Sequence, residues 1–338
     1  MYCSIPNLSK FPSKKTKPIT KMEEVKMIES GFTTQLKSRI KDKIEGHPLW
    51  GSQCLLTDPT AVIDTHREYV RSGVDILITN TYQASIQGFK KYLNLDETQS
   101  FELIKQAVQN CHDAIAIEKS QKTIDHNKKH LIAGAIGSFG AYLADGSEYN
   151  GNYIDKYNID YIRDWHRPRI QALVEGGVDI IAFETLPVQK EAEMLVQLVK
   201  EFPNVKAWLS FSGKDERHIA HGEEFQQAAL KCWSLNPDQL IAIGVNCTES
   251  RISTELLSTL VGKNVPMIVY PNAGQIWDGK NKVWKTPENI ESVDQLVEKW
   301  CDMGVKYIGG CCGTTMETRR FMRKVIDEYN ARSKSSTN

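Results

Sequence analysis

Gly176-Gly177-Val178-Asp179-Ile180-Ile181-Ala182-Phe183-Glu184 is the stretch on which the fold turns. The residues before it carry apolar side chains at helical spacing. A glycine then stops the helix, because it enters a left-handed turn without a Cβ penalty. A short Ile-rich run follows at once. It is continuous rather than alternating, as expected of a parallel strand buried on both faces. The run ends on a carboxylate. The same idiom returns in Ser72-Gly73-Val74-Asp75 and in Met303-Gly304-Val305-Lys306.

Working outward, apolar runs of this kind fall at Val25–Ile28, Asp75–Thr79, Leu131–Ala135, Ile180–Glu184, Ala207–Phe211, Leu240–Val245, Pro266–Tyr270 and Lys306–Gly309. Helical patterns separate them. One opens at Asp58-Pro59, an N-cap followed by proline at the first helical position. Others run through Phe101–Ile117, Ile159–Gly176, Phe225–Ser234, Ser253–Leu260, Val293–Met303 and Met316–Tyr329, and Leu186-Pro187 leads into one more. Eight strand–helix units predict an α/β fold, a (β/α)8 TIM-type barrel in a single domain. A doubly wound open sheet is disfavoured, since no G-x-G-x-x-G follows the first strand. The expected division is a disordered tail over 1–22, a barrel domain over 23–332 and a disordered C-terminus over 333–338.

Lysine plus arginine equal aspartate plus glutamate at 42 each, so no global field attracts nucleic acid or an anionic membrane. The expected partners are small molecules, with no nucleic acid and no membrane, for a monomer or small homo-oligomer. No apolar stretch reaches the roughly 18 residues of a bilayer span, and the Lys/Ser/Pro-rich N-terminus lacks the apolar core of a secretory signal. A cytoplasmic location with reduced thiols is expected.

In a barrel of this type the active site lies at the C-terminal ends of the strands. The sixth strand ends in Gly244-Val245-Asn246-Cys247-Thr248 and the eighth in Gly309-Gly310-Cys311-Cys312-Gly313-Thr314. Cys247, Cys311 and Cys312 therefore emerge on one rim, two strands apart. Three converging thiolates suit zinc, and a catalytic zinc keeps its fourth position open. The other five of the eight cysteines, Cys3, Cys54, Cys111, Cys232 and Cys301, fall away from that rim. Glu184 ends the fourth strand, where a carboxylate is costly to bury without a partner, and could bind a substrate amino group. Asn80 and Tyr82 follow the second strand, Tyr142 the third, and Asn272 the seventh, between the two cysteine-bearing strands.

These segments resemble the homocysteine S-methyltransferase family, specifically its short S-methylmethionine-using, zinc-dependent members. The likeness spans about Ile28 to Ile326. It also includes Ile78-Thr79-Asn80-Thr81-Tyr82-Gln83-Ala84-Ser85, Phe183-Glu184-Thr185-Leu186-Pro187, Tyr142-Leu143-Ala144-Asp145-Gly146-Ser147-Glu148-Tyr149 and His166-Arg167-Pro168-Arg169. The resemblance implies that Cys247, Cys311 and Cys312 bind Zn2+ and that Glu184 helps hold homocysteine. It assigns the Tyr142–Tyr149 segment to the donor side; Asn80, Tyr82, Asn246 and Asn272 are expected to line the site from their place at the strand ends. Where the family carries Asp-Gly after its first strand, this chain has Glu29-Ser30, so Glu29 takes the place of a homocysteine-binding aspartate with one more methylene. His221 stands where the family more often has an acidic residue.

The implied reaction is methyl transfer from a sulfonium donor, S-methylmethionine or S-adenosylmethionine, to homocysteine, giving methionine. A zinc-held thiol is deprotonated, and the thiolate is the nucleophile. The alternatives are a non-enzymatic zinc or redox-sensing barrel, betaine-dependent methyl transfer, and a zinc hydrolase. The last is disfavoured because three sulfur ligands oppose an acidic bound water.

Overall fold

A computed structural model describes residues 24–29, 31–40, 44, 46–273, 276–278, 283–285 and 293–335. The expected tail, Ser30 and Cys3 lie outside them. Ten strands occur among the described residues: β1 Lys26–Met27, β2 Ile76–Ile78, β3 Leu131–Gly137, β4 Ile180–Leu186, β5 Lys206–Phe211, β6 Leu240–Asn246, β7 Met267–Tyr270, β8 Ile276–Asp278, β9 Val283–Lys285 and β10 Val305–Ile308. Eight form one sheet in the order β1-β10-β7-β6-β5-β4-β3-β2, with every pairing parallel. A parallel bridge from Ile28 to Ile76, with the Glu29 amide donating to the Ile76 carbonyl at 2.8 Å, brings the two edges together. The barrel expected from the sequence is therefore present and nearly closed.

The first strand is the shortest, and its amide at Met27 is held by the Asp75 carboxylate at 2.8 Å. Asp75 and Asp179 both sit just past a helix-stopping glycine, and both do the same work. The Asp179 carboxylate accepts from the Ile132 amide at 2.8 Å, while the Asp179 amide donates to the Ile132 carbonyl. Gly73, Gly177 and Gly304 have φ of +90°, +91° and +89°, which is why glycine occupies each of these αβ turns. The Asp58 cap also forms, its side chain accepting from the Ala61 amide.

Two apolar layers result. Between the strands and the outer helices lies a broad Leu/Val/Ile core. Inside the barrel, Ala133, Ala135, Ala182 and Ala242 leave room for Trp208 and Tyr270. The Trp208 indole donates to the Tyr270 hydroxyl at 3.1 Å, which satisfies its only polar group in an apolar interior. Above this plug the polar strand ends converge.

Two differences from the sequence reading follow from local chemistry. β8 and β9 pair antiparallel, a hairpin inserted between β7 and the helix Val293–Asp302 that no apolar run announced. The last helix, Met316–Ser335, runs past residue 332, where a disordered end was expected. Arg332 pairs with Glu298, and Lys334 with Glu24, so polar residues extend it. Among the described residues, no helix is long and apolar enough to cross a membrane.

Candidate metal centre and substrate site

The C-terminal end of β7 stitches the two cysteine segments together. The Tyr270 carbonyl accepts from the Cys247 amide at 3.2 Å and the Pro271 carbonyl from the Cys311 amide at 2.6 Å, while the Ala273 amide donates to the Cys312 carbonyl at 2.9 Å. The three sulfurs consequently meet. Cys247 Sγ lies 2.9 Å from Cys311 Sγ and 3.9 Å from Cys312 Sγ, and the last two are 4.0 Å apart. Two thiolates on one tetrahedral zinc, each at about 2.3 Å, would be about 3.8 Å apart. Two of the three spacings match, and the Cys247–Cys311 pair has only to open. Among the described residues this is the one cluster of three metal-ligating groups. Gly31 packs so tightly beneath it that a Cβ there would lie 2.4 Å from the Cys311 carbonyl oxygen. Hydrogen bonds from the Cys247 and Cys311 thiols, with the charge of Lys37, hold the Cys312 thiol well below the usual range.

Cys247 has φ +51°, and Thr185, at the end of β4, has φ +56°. For a β-branched residue this is a strained backbone, of the sort retained at functional sites. Asn246 holds it. Its Oδ1 accepts from the Thr185 amide at 2.7 Å, and its Nδ2 donates to Thr185 Oγ1 at 2.8 Å. One side chain thus ties the cysteine-bearing β6 to the turn that aims Glu184. Asn246→Ala leaves two buried groups unpaired and the turn unsupported, so unfolding stability should fall by roughly 2–4 kcal/mol. Urea denaturation of the metal-free protein measures this, and an unchanged midpoint would remove Asn246 from the role.

Glu184 is buried beside the barrel plug, hydrogen-bonded to Tyr270. Burial pushes its carboxyl up to about 8, against the Tyr270 hydrogen bond, and the nearby Glu29 charge adds to the rise. No cation pairs with Glu184 among the described residues. Glu29, also fully buried, is differently placed. Its carboxylate accepts from the Ile78 amide at 3.1 Å and faces His66 Nδ1 at 3.0 and 3.1 Å. His66 Nε2 lies 3.5 Å from Cys111 Sγ. Burial works against a charge on His66, yet the flanking Cys111 and Glu29 lift its pKa to about 10. Glu29 therefore has a side-chain partner within the protein, whereas Glu184 has no cation beside it among the described residues.

The other expected lining residues divide. Tyr82 lies near the site, with its hydroxyl in hydrogen-bonding reach of Thr185 and the charges of Cys247 and Glu184 acting on it. Asn272 Oδ1 is buried with no partner among the described residues. Asn80 instead donates to the Gly51 carbonyl at 2.8 Å, anchoring a loop from before the helix Pro59–Arg71. Tyr142 packs on Phe139 and Trp165, with ring centroids 5.6 and 5.1 Å away. His221 pairs with Glu223 at 3.2 Å. Cys54, Cys111, Cys232 and Cys301 are buried in helices away from the rim, as expected.

Several residues of the family-like segments contribute in ways that the sequence did not specify. Tyr149 reaches the Cys247 sulfur with its hydroxyl. Arg169, fully buried, donates to the carbonyls of Tyr82, Ala84 and Gly137, fixing the ends of β2 and β3. His166 supports it at 3.2 Å and also faces Glu191 at 2.8 Å, which makes it a member of a buried polar network.

A family model described as homocysteine S-methyltransferase matches residues 26–326. The chain is 40% identical over 311 residues to a betaine-homocysteine S-methyltransferase of Drosophila melanogaster, spanning 89% of this chain and 93% of that one. It is 38% identical over 324 residues to homocysteine S-methyltransferase 3 of Arabidopsis thaliana, spanning 91% and 92%. Its fold matches the metallated form of the homocysteine methyltransferase MmuM from Escherichia coli with a TM-score of 0.77 at 31% identity, over 89% and 96% of the two chains. With a barrel of that shape and three cysteines meeting at its rim, this chain is a methyltransferase that belongs to the homocysteine S-methyltransferase family.

Proposed function

We propose that the enzyme moves a methyl group from a sulfonium donor, S-methylmethionine or S-adenosylmethionine, to homocysteine, with zinc held by Cys247, Cys311 and Cys312. The observation that carries this reading is the meeting of three thiols within 4.8 Å of one another, on a rim that also bears a buried carboxylate with no cation among the described residues. An all-sulfur donor set suits zinc. When bound, such an ion supplies an open position at which a substrate thiol is held deprotonated.

The chain's own residues do the rest. Glu184 binds the homocysteine ammonium, because that charge completes a buried pair which the protein leaves open. Glu29 has its counter-charge in His66, so it shapes the ammonium pocket and contributes less net attraction. The plug of Trp208 and Tyr270 fills the floor beneath the site. A sulfonium leaves as a neutral thioether and needs no general acid, which fits the absence of a histidine facing the thiols among the described residues.

The name of the fly relative raises betaine as the rival donor. The test supplies metal-loaded protein and homocysteine separately with S-methylmethionine, S-adenosylmethionine and betaine, and measures methionine. Product should form fastest with S-methylmethionine. Turnover confined to betaine would overturn the donor assignment, and none with any donor would overturn the reading.

A further inference from the structure

Glu148 lies in the short turn Ser147–Tyr149 above the barrel mouth. Its backbone is fixed, since Ser212 Oγ donates to the Glu148 carbonyl at 2.9 Å. The side chain is turned inward, and its Oε2 is buried with no hydrogen-bond partner among the described residues. Burial pushes this carboxyl up to about 7, helped by the charge of Asp145 and opposed only by its own backbone amide. A carboxylate oxygen held out of solvent without a cation or a donor costs folding stability. A protein that keeps one is supplying half of a pair.

The surroundings say where the other half comes from. Glu148 acts on the hydroxyls of Tyr82 and Tyr149, and the same two hydroxyls feel the Cys247 sulfur. The hydrogen bonds place it on the same rim: the Ser212 that holds the Glu148 carbonyl precedes Gly213, whose amide donates at 2.8 Å to Thr248 Oγ1, the residue after Cys247. Glu184 also acts on Tyr82, but from β4. Among the described residues, the mouth thus carries two carboxylates without cations, on different segments. One serves the acceptor.

We propose that Glu148 anchors the α-ammonium of an amino-acid sulfonium donor. An ammonium donates N–H bonds to Oε2, whereas neither a sulfonium nor a quaternary ammonium has an N–H to give. The enzyme accordingly selects donors with a free ammonium over betaine-type donors. This rests on the methyl-transfer reading above and deepens it by naming the group that sets donor class.

The test measures binding, so it does not depend on turnover. Calorimetry on the metal-loaded full chain and its Glu148→Gln variant uses two probes: S-methylmethionine, and dimethylsulfonioacetate, a sulfonium without an ammonium. The substitution should weaken S-methylmethionine by at least about 30-fold and dimethylsulfonioacetate by less than about 3-fold. The unfolding midpoint without ligand should hold or rise, because a costly buried charge has been removed. Equal weakening of both probes, no weakening of either, or no binding of S-methylmethionine to the parent would overturn the proposal. Tight, Glu148-dependent binding without methionine formation would instead overturn the methyl-transfer reading alone.

Discussion

Substituting Cys247, Cys311 or Cys312 by alanine is expected to strip the protein of zinc and to lower methyl transfer by roughly a thousandfold or more, about 4 kcal/mol of lost barrier lowering. The three sulfurs come from the ends of β6 and β10, and their backbones are pinned by the intervening β7. No fourth cysteine or histidine lies in the cluster to replace a lost ligand among the described residues. The four buried helical cysteines serve as controls. Cys232→Ala should keep full metal content, since that thiol is buried in a helix and pushed well above the ordinary range by burial. Metal analysis after gel filtration checks all four variants, and a full complement in any of the three rim variants would contradict the ligand set.

Glu184→Ala is expected to weaken homocysteine binding by about 2–5 kcal/mol, seen mainly in KM, because the ammonium it faces would be left buried and unpaired. The same residue gives a pH signature. Its carboxyl is raised from 4.5 to about 8 in the folded, ligand-free protein. The folded state then holds the proton across that window while the unfolded state has lost it, so stability falls as pH rises from about 4.5 through about 8. Glu184→Gln should flatten that part of the profile and raise the unfolding midpoint at pH 8 relative to the parent. If both proteins lose stability in parallel, Glu184 is not held protonated. Zinc content should be unchanged in both variants, since Glu184 is no ligand.

Much of this was legible in the residues themselves. The glycine-stopped helices followed by Ile/Val runs gave the barrel, because the turn at Gly177 and the strand at Ile180 each have a local physical cause. The cysteine site was legible because barrel geometry turns two distant strand ends into one rim. The hairpin Ile276–Asp278 with Val283–Lys285 was not, since short strands in a connection lack a periodic pattern. Glu29 shows the same limit within the site. The resemblance sets it where homocysteine binds; its partner His66, 37 residues on in the helix Pro59–Arg71, was not legible, because no spacing rule joins them. Asn246 was expected to line the pocket; that both ends of its amide also engage Thr185 could not be read from the sequence. Glu148 stood in a quoted segment without distinction, because only a three-dimensional count of hydrogen bonds exposes an unpaired oxygen.

The most direct test of the account compares the protons released when homocysteine and methionine bind. The two ligands share the ammonium and carboxylate, so Glu184 responds alike to both, and they differ in whether a thiol can ionise. Calorimetry in two buffers of different ionisation enthalpy counts the protons. With zinc loaded, homocysteine should release about one more proton than methionine near pH 7, where a free thiol is mostly protonated. After chelation, or in Cys311→Ala, that difference should vanish. An equal proton count for both ligands on the zinc-loaded protein, or a difference that survives removal of the metal, would contradict the claim that these three cysteines hold the ion that activates homocysteine.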